Sequence, residues 1–394
     1  MSDRGMHMRR IPVLFCLALI FCFLTMSCKK QGITTEVIDG VKHIHNPAEP
    51  LKGTIDLEVE ETLRIDPAQF EVEDFVVFDN FWKDPFGNVY LMIWKSRNVF
   101  QFSSQGDYLG SFIRIGQGPG EFPQYSSLFL DFIREGEIWA TGGRKIARFD
   151  MERNLIGEIK LDNWYSPVKY VDENRLVAER RERVEEGKEM HEWTIVSYIE
   201  RILEGEDKIL FDYCKAKDIG LVRKGQSAFS DSWATPGILW IYDDYTKRIY
   251  TVLNTEYKIS AHELTGKGRF VLDKFHKNFA LNMDEKRKHF QEKYEENWEW
   301  WMDIYPDELC AIRDIKCLPK GYVAVYPITG IEAINIDIYD PEGRFLYVLN
   351  PPQGLSLEEA QFFDFGFILK EEKEDRDVYA EYRIKNLPEI FGNK

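Results

Sequence analysis

The chain has 394 residues, with 51 Lys and Arg against 67 Asp and Glu, which gives a formal net charge of −16 at pH 7. A chain this acidic has little of the basic surface that nucleic acid binding requires, so we expect no nucleic acid partner. The length is sufficient to bury a large core.

The N-terminus has the features of a secretory signal. Arg4, Arg9 and Arg10 precede an apolar run over residues 11–26. This run is shorter than the roughly 20 apolar residues that span a bilayer comfortably. A basic start followed by a short apolar segment therefore predicts a signal peptide over residues 1–27.

The end of this segment predicts a lipid anchor. Residues 24–28 read LTMSC and resemble a bacterial lipobox, in which the cysteine receives lipid and becomes the new N-terminus. We therefore predict that Cys28 is lipidated and that the protein is held in the cell envelope, with the outer membrane as the expected site. This prediction leaves open whether the protein faces the periplasm or the cell surface. An ordinary cleaved signal and an uncleaved anchor are the alternatives.

Residues 28–52 are interpreted as a tether between the anchor and the folded body. His43 and His45 would share one side of an extended segment, but no third ligand is evident, so solvated side chains are the preferred interpretation over a metal pair. Among the later cysteines, a disulfide between Cys310 and Cys317 is left open.

Residues 53–394 contain six units in which short β-branched and aromatic strands alternate with turns that hold Gly, Asp or Asn. Residues 87–112 and 137–159 are the clearest copies. Small sheets that recur in this way cannot bury their own faces, and the pattern predicts an all-β, six-bladed β-propeller. The last unit is one strand short, and residues 54–59 are predicted to supply that strand and close the ring.

One long insertion, residues 273–304, is predicted to be helical. Asp284 is the expected N-cap, and Phe290, Tyr294, Trp298 and Trp301 follow at helical spacing. The preferred interpretation is a helix that packs this aromatic stripe on the propeller, and the alternative is a lid over a sugar or another flat ligand.

The glycine-rich stretch IRIGQGPGEFPQY is compared with known phosphate-binding loops. Pro119 and Pro123 prevent a helix from starting after the strand, the third glycine is misplaced for a dinucleotide fingerprint, and no Lys-Ser/Thr pair follows. We therefore predict a structural loop between blades. Its residues are Gly116, Gly118, Pro119, Gly120, Glu121 and Phe122, with Glu121 as a cap for backbone amides.

The heptad GQGPGEF, after a strand pair with a Gly-Asp turn, resembles the GxGPGEF motif of bacterial six-bladed β-propellers of the NHL-repeat or TolB-like type. These proteins are abundant as lipoproteins in Bacteroidota. The resemblance is strongest over residues 86–150 and implies a fold and an envelope location. It does not imply a reaction.

The sequence favours binding over catalysis. No HExxH, GxSxG or EF-hand motif is present, and we expect no metal, cofactor or catalytic residue. Trp82, Trp164 and Trp233 are candidates for stacking on a ligand at the channel mouth, and Asp231, Asp243 and Asp244 could line that mouth. The predicted function is a non-catalytic scaffold for a glycan, a peptide or an envelope protein. The alternative is a channel-mouth enzyme, either a metal-assisted hydrolase or a lyase.

Overall fold

A computed structural model describes residues 32–386. The gaps within this range are 67–68, 71–79, 94–97, 125–127, 134–135, 162, 187–188, 201–206, 218–220, 224–225, 229–235, 295–298, 300–301, 303–306, 331–334, 358–359, 364–365 and 374–375. The predicted signal peptide and Cys28 therefore lie outside the described residues. The described chain is almost entirely β-structure, as predicted.

Four strands precede the first blade: β1 (Thr34–Ile38), β2 (Val41–Asn46), β3 (Thr54–Asp56) and β4 (Val59–Ile65). Three four-stranded blades follow. Blade 1 contains β5 (Asn80–Lys83), β6 (Val89–Met92), β7 (Val99–Phe102) and β8 (Tyr108–Phe112). Blade 2 contains β9 (Leu128–Asp131), β10 (Glu137–Gly142), β11 (Lys145–Asp150) and β12 (Leu155–Lys160). Blade 3 contains β13 (Val168–Tyr170), β14 (Arg175–Glu186), β15 (Glu189–Glu200) and β16 (Lys208–Lys217).

A short hairpin of β17 (Leu221–Arg223) and β18 (Gln226–Ala228) leads to the last three blades. Blade 4 contains β19 (Ile238–Asp243), β20 (Arg248–Leu253), β21 (Lys258–Glu263) and β22 (Gly268–Lys274). Blade 5 contains β23 (Ile312–Cys317), β24 (Val323–Pro327), β25 (Ile336–Tyr339) and β26 (Phe345–Asn350). Blade 6 contains β27 (Gln361–Phe363), β28 (Gly366–Glu372) and β29 (Asp377–Ile384). The propeller therefore has six blades, as predicted.

The ring closes through an N-terminal strand, but this strand lies later in the chain than predicted. Strand β4 pairs antiparallel with β29 and completes blade 6, with Arg64 opposite Ala380. Strand β3, which lies within the predicted closing segment 54–59, instead pairs in parallel with β26 and extends blade 5. Strand β4 closes the ring, since β3 pairs with blade 5 instead.

The segment interpreted as a tether is partly folded. Strands β1 and β2 form a hairpin, and β2 pairs in parallel with β22 at the outer edge of blade 4. His45 fixes this hairpin, since its ring is 3.0 Å from the Asp273 carboxylate and 3.1 Å from that of Glu36. These two carboxylates raise the pKa of His45, with Asp273 contributing most.

The core lies between neighbouring blades. Six clusters of buried side chains each join residues from two adjacent blades. In one of them, Tyr90 and Phe112 of blade 1 pack with Leu128 and Phe149 of blade 2. Apolar faces that a single small sheet cannot cover are thus buried by the next sheet, which is the physical basis of the repeat pattern.

Five hairpin turns have the same five-residue geometry. In each turn the first residue donates its N–H to the carbonyl of the fifth, and the N–H of the fourth donates to the carbonyl of the first. The fourth residue always has a positive φ, from 72° at Arg153 to 89° at Gly87. This conformation suits glycine, which accounts for the recurring Gly-Asp and Gly-Asn turns in the sequence. The five turns are 84–88, 103–107, 150–154, 263–267 and 340–344.

The predicted insertion contains a helix at Met283–Tyr294. Its N-cap is Asn282, whose side-chain oxygen accepts the N–H groups of Asp284 and Glu285, so the assignment of Asp284 as the cap was wrong. Phe290 is 1% exposed and packs in a small cluster with Leu309, which agrees with the packing interpretation. Trp298 and Trp301 lie outside the described residues. Within the described part of the chain, no helix has the length and apolar character of a membrane span.

Candidate functional site

The innermost strands of all six blades run in the same direction, and their ends meet at one mouth of the central channel. These strands are β5, β9, β13, β19, β23 and β27, and their last residues are Lys83, Asp131, Tyr170, Asp243, Cys317 and Phe363. A cavity of about 890 Å³ lies here, lined by side chains from these strand ends and from the turns that follow them. We refer to this cavity as the channel mouth.

Ion pairs hold the charged side chains of the channel mouth. Lys83 lies 2.7 Å from the buried carboxylate of Glu381. Lys169 lies 3.0 Å from Asp131 and 3.9 Å from Asp244. Burial alone would lower the pKa of Lys169, but the two nearby carboxylates outweigh it and raise the pKa. Lys169 therefore stays charged at neutral pH and pairs with Asp131 and Asp244, two of the acids that line the mouth.

Asp243 and Asp244 were both candidates for lining the channel mouth, but the two residues have different positions. Asp244 lines the channel mouth. Asp243 is 3% exposed and accepts the backbone N–H groups of Tyr245 and Thr246, so it shapes the turn. Asp231 lies outside the described residues. Among the described residues, no group of three His, Cys, Asp or Glu side chains could hold a metal ion.

Cys317 is the last residue of β23 and lies near Asp243, Asp244 and Lys169 at this end of the propeller. Its thiol donates to the carbonyl of Tyr242 at 3.5 Å, and burial together with Asp243 raises its pKa well above the usual value. Cys310 and Cys317 are both free thiols. Strand β23 extends the chain between them, and an extended segment of this length separates its ends by roughly 20 Å, far beyond disulfide reach.

An apolar patch borders the channel mouth on the side of blades 1 and 2. A smaller cavity of about 370 Å³ adjoins the mouth there and is lined by Pro85, Phe86, Phe132, Ile133 and Met151, together with polar groups. Phe86 is 54% exposed. The turn that carries Phe86 is rigid because the carboxylate of Asp84 accepts the N–H groups of Phe86 and Asn88. We refer to these five apolar residues as the apolar patch.

The glycine-rich loop connects blades 1 and 2, and carboxylates of the loop and of blade 2 accept hydrogen bonds from its amides. Gly118-Pro119-Gly120-Glu121 forms a turn in which the N–H of Glu121 donates to the carbonyl of Gly118 at 3.1 Å. Gly120 has a φ of +75°, as the third position of a type II turn requires. Phe122 is fully buried between the two blades.

Carboxylates occupy the amides that a phosphate would need. The Glu121 side chain accepts the N–H of Gly118 at 2.9 Å, and Glu158 accepts the N–H of Gly120 at 2.7 Å. A Cβ on Gly116 would lie 1.9 Å from Oε2 of Glu121, so a side chain there would displace this carboxylate. The loop geometry thus agrees with the structural interpretation of residues 116–122.

Of the three tryptophans chosen as stacking candidates, the two that the structure describes do not line the channel mouth. Trp82 is half-buried and packs against the core between blades 1 and 2. Trp164 is 47% exposed, but it lies just before β13, at the opposite end of the inner strands. Trp233 lies outside the described residues. Sequence reasoning instead missed Lys83, Lys169 and Phe86, whose signal was a position close to the end of an inner strand.

Residues 83–309, more than half of the chain, match the family model DUF5128, described as a 6-bladed beta-propeller. The chain belongs to this family. No curated protein matches the sequence. A protein from Bacteroides fragilis NCTC 9343 described as exported has a similar structure, with 14% identity, a TM-score of 0.50, and coverage of 87% of this chain and 100% of its own.

Two further solved structures are similar over most of the chain. A member of the duf4221 family from Bacteroides vulgatus has 10% identity and a TM-score of 0.48, covering 84% of this chain and 99% of its own. Virginiamycin B lyase from Staphylococcus aureus has 11% identity and a TM-score of 0.40, covering 83% of this chain and 100% of its own. At these identities the similarities concern the fold alone.

Proposed function

We propose that this propeller is a non-catalytic binding scaffold of the cell envelope, and that its channel mouth holds an extended peptide segment of a partner protein. The observation that carries this proposal is the apolar patch beside the ion-paired channel mouth. Exposed Phe86 and its apolar neighbours offer area to a hydrophobic side chain. The ordered Lys–Asp pairs offer fixed polar contacts to a peptide backbone.

The channel-mouth enzyme has less support. A general base or a metal ligand needs a carboxylate that is available to the substrate. Here Asp131 and Asp244 contact Lys169, and Asp84 accepts hydrogen bonds from its own turn and from Tyr90. The acids that face the cavity are therefore engaged by the protein.

The envelope location rests on the N-terminal segment and is part of the same proposal. The lipobox-like residues 24–28 and the similarity to a protein described as exported support it. We expect Cys28→Ala to move the protein from the membrane fraction to the soluble fraction, because a lipid chain is the anchor. Fractionation followed by immunoblotting measures this, with Cys214→Ala as the matched control. A Cys28→Ala protein that stays with the membranes would argue against lipidation.

Photo-crosslinking in the producing cells tests the binding face. A benzoyl-phenylalanine at position 86 should capture a defined protein partner, because this position lies on the apolar patch. The matched control is position 275, where Phe275 is 79% exposed and lies away from the channel mouth. A product from position 86 that is absent from position 275 supports the proposal. No product from position 86, or the same products from both positions, contradicts it.

A further inference from the structure

A second cavity, of about 540 Å³, lies between blades 2 and 3. Ser166, which precedes β13, lines this cavity, whereas Tyr170 at the end of β13 lines the channel mouth. The two cavities are therefore at opposite ends of this inner strand. We refer to the second one as the arginine cavity, and its residues used below are Arg144, Trp164, Glu179, Arg180, Arg181 and Ile209.

Two of its walls are apolar and accessible. Trp164 is 47% exposed and Ile209 is 46% exposed. An indole ring with this exposure offers aromatic surface on which a ligand can stack. Tyr165, the neighbour of Trp164, is 2% exposed and donates a hydrogen bond to Asp207 at 2.9 Å, which fixes the backbone that carries the indole.

Three arginines line the same cavity, and they differ in how tightly the protein holds them. Arg180 is 17% exposed, and its guanidinium donates to Ser197 at 3.0 Å and to Asp212 at 2.9 Å. Arg181 is 66% exposed and has an ion pair at 3.3 Å with Glu192, a contact in water that contributes little. Arg144 is exposed and forms no ion pair with any residue that the structure describes.

The cavity also contains one carboxyl group with unusual properties. Glu179 accepts a hydrogen bond from the indole N–H of Trp240 at 3.0 Å. Burial raises the pKa of Glu179 to about 7. Near neutral pH this group is therefore present both as a hydrogen-bond donor and as an acceptor, which suits a hydroxyl-rich ligand.

We propose that the arginine cavity binds a uronic acid oligosaccharide. The sugar ring would stack on Trp164, its carboxylate would pair with Arg144 and Arg181, and its hydroxyls would bond to Glu179. A neutral sugar would give Arg144 no carboxylate to pair with and would add none to the weak pair of Arg181 with Glu192. An acidic peptide would satisfy them but has no ring to place on the indole. This site does not depend on the proposed peptide site, because it lies at the other end of the inner strand.

Calorimetry on the full-length chain in detergent tests this assignment. The probes are tetramers of galacturonate, guluronate and mannuronate, their carboxyl-reduced neutral counterparts, and tetraglutamate. We expect at least one uronate tetramer to bind, and both its reduced form and tetraglutamate to bind at least about tenfold more weakly, since the reduced form lacks the charge-assisted hydrogen bonds and tetraglutamate lacks the ring that stacks. Binding by none of the uronates, or equal binding of tetraglutamate, would overturn the proposal.

Variants locate the site. Trp164→Ala and Arg144→Ala should each weaken uronate binding about tenfold or more. The matched controls are Tyr245→Ala, which removes a 70% exposed ring at the other end of the inner strands, and Arg269→Ala, which removes an exposed charge on blade 4. Uronate binding that survives both cavity substitutions places the ligand elsewhere and refutes the assignment. Crosslinking at position 86 reports separately on the channel mouth, so the two proposals fail independently.

Discussion

At the scale of single residues, Glu121 occupies polar groups of the glycine-rich loop that connects blades 1 and 2, in agreement with the structural role predicted for that loop. Its carboxylate accepts the N–H of Gly118, and Arg114 contacts it at 3.0 Å. The sequence permitted this prediction because prolines exclude a helix after the loop. The residues of the channel mouth were not predictable in the same way. Lys169 and its partners Asp131 and Asp244 are far apart in the chain, and only the ring arrangement of the strands brings them together.

We expect Glu121→Ala to lower the thermal unfolding midpoint without changing ligand binding at either cavity. The backbone hydrogen bond from Gly118, helped by Arg114, holds the pKa of Glu121 below its usual value of 4.5. Its stabilising effect is therefore full above that value and is lost as the pH falls through the lowered pKa. The difference in midpoint between wild type and variant should shrink in acid, as measured by circular dichroism between pH 7 and pH 3.

The matched control is Glu49→Ala, which removes the same charge from an exposed position. It should leave the midpoint unchanged. A Glu121→Ala protein with an unaltered midpoint but lost binding would contradict the structural role of the loop.

At the scale of elements, the repeated turn is the feature that the sequence predicts best. A glycine at the fourth position is visible in four of the five turns, while Arg153 adopts the same positive φ without that signal. The β1–β2 hairpin was missed for a physical reason. Strand β1 reads TTEVI, which has no apolar alternation, and all five of its residues are exposed. The parallel pairing of β2 with β22 depends on a partner more than 200 residues away.

Gly343→Ala should destabilise the protein by about 1–3 kcal/mol, because it adds a packing conflict to a strained backbone. Gly343 has a φ of +82°, and a Cβ there would lie 2.8 Å from Cε2 of Phe270 and 3.0 Å from Cδ1 of Ile44. Both of these side chains are buried. Chemical denaturation with urea measures the change in the free energy of unfolding.

Gly354→Ala separates the two contributions. Gly354 has the same φ of +82°, but no atom of the residues that the structure describes lies within 4 Å of its added Cβ. Gly354→Ala should lower the free energy of unfolding by only about 1 kcal/mol, because the strained backbone is its sole cost. If both substitutions cost the same, then the contact between this turn and blade 4 does not contribute to stability.

At the scale of the whole molecule, a propeller is a ring whose last sheet must be completed by the other end of the chain. The sequence indicated this need, because the last unit is one strand short. It did not indicate which segment would meet it, because β3 and β4 are both short strands with apolar residues at alternate positions. The strands with which β3 and β4 pair depend on the course of residues 46–66 over blades 5 and 6. This course cannot be read from the sequence pattern of either strand.

Two truncated chains test the closure. A chain that starts at residue 58 retains β4, and a chain that starts at residue 66 lacks it, while neither contains β1, β2 or β3. Loss of β4 removes Leu63 and Ile65 from the cluster that holds Phe81 and Tyr379. Burial of each aliphatic side chain contributes about 1.5–3 kcal/mol. Strand β29 would also become an unpaired edge, which promotes association between molecules.

We therefore expect the chain from residue 66 to melt at a lower temperature and to aggregate, as seen by calorimetry and size-exclusion chromatography. The chain from residue 58 should remain monomeric and unfold in one cooperative transition, because its ring is still closed by a strand that pairs along β29 from Val59 to Ile65. Equal melting temperatures for the two chains would mean that blade 6 is stable with its three remaining strands. In that case the packing between blades, and not the closing strand, would hold the ring together.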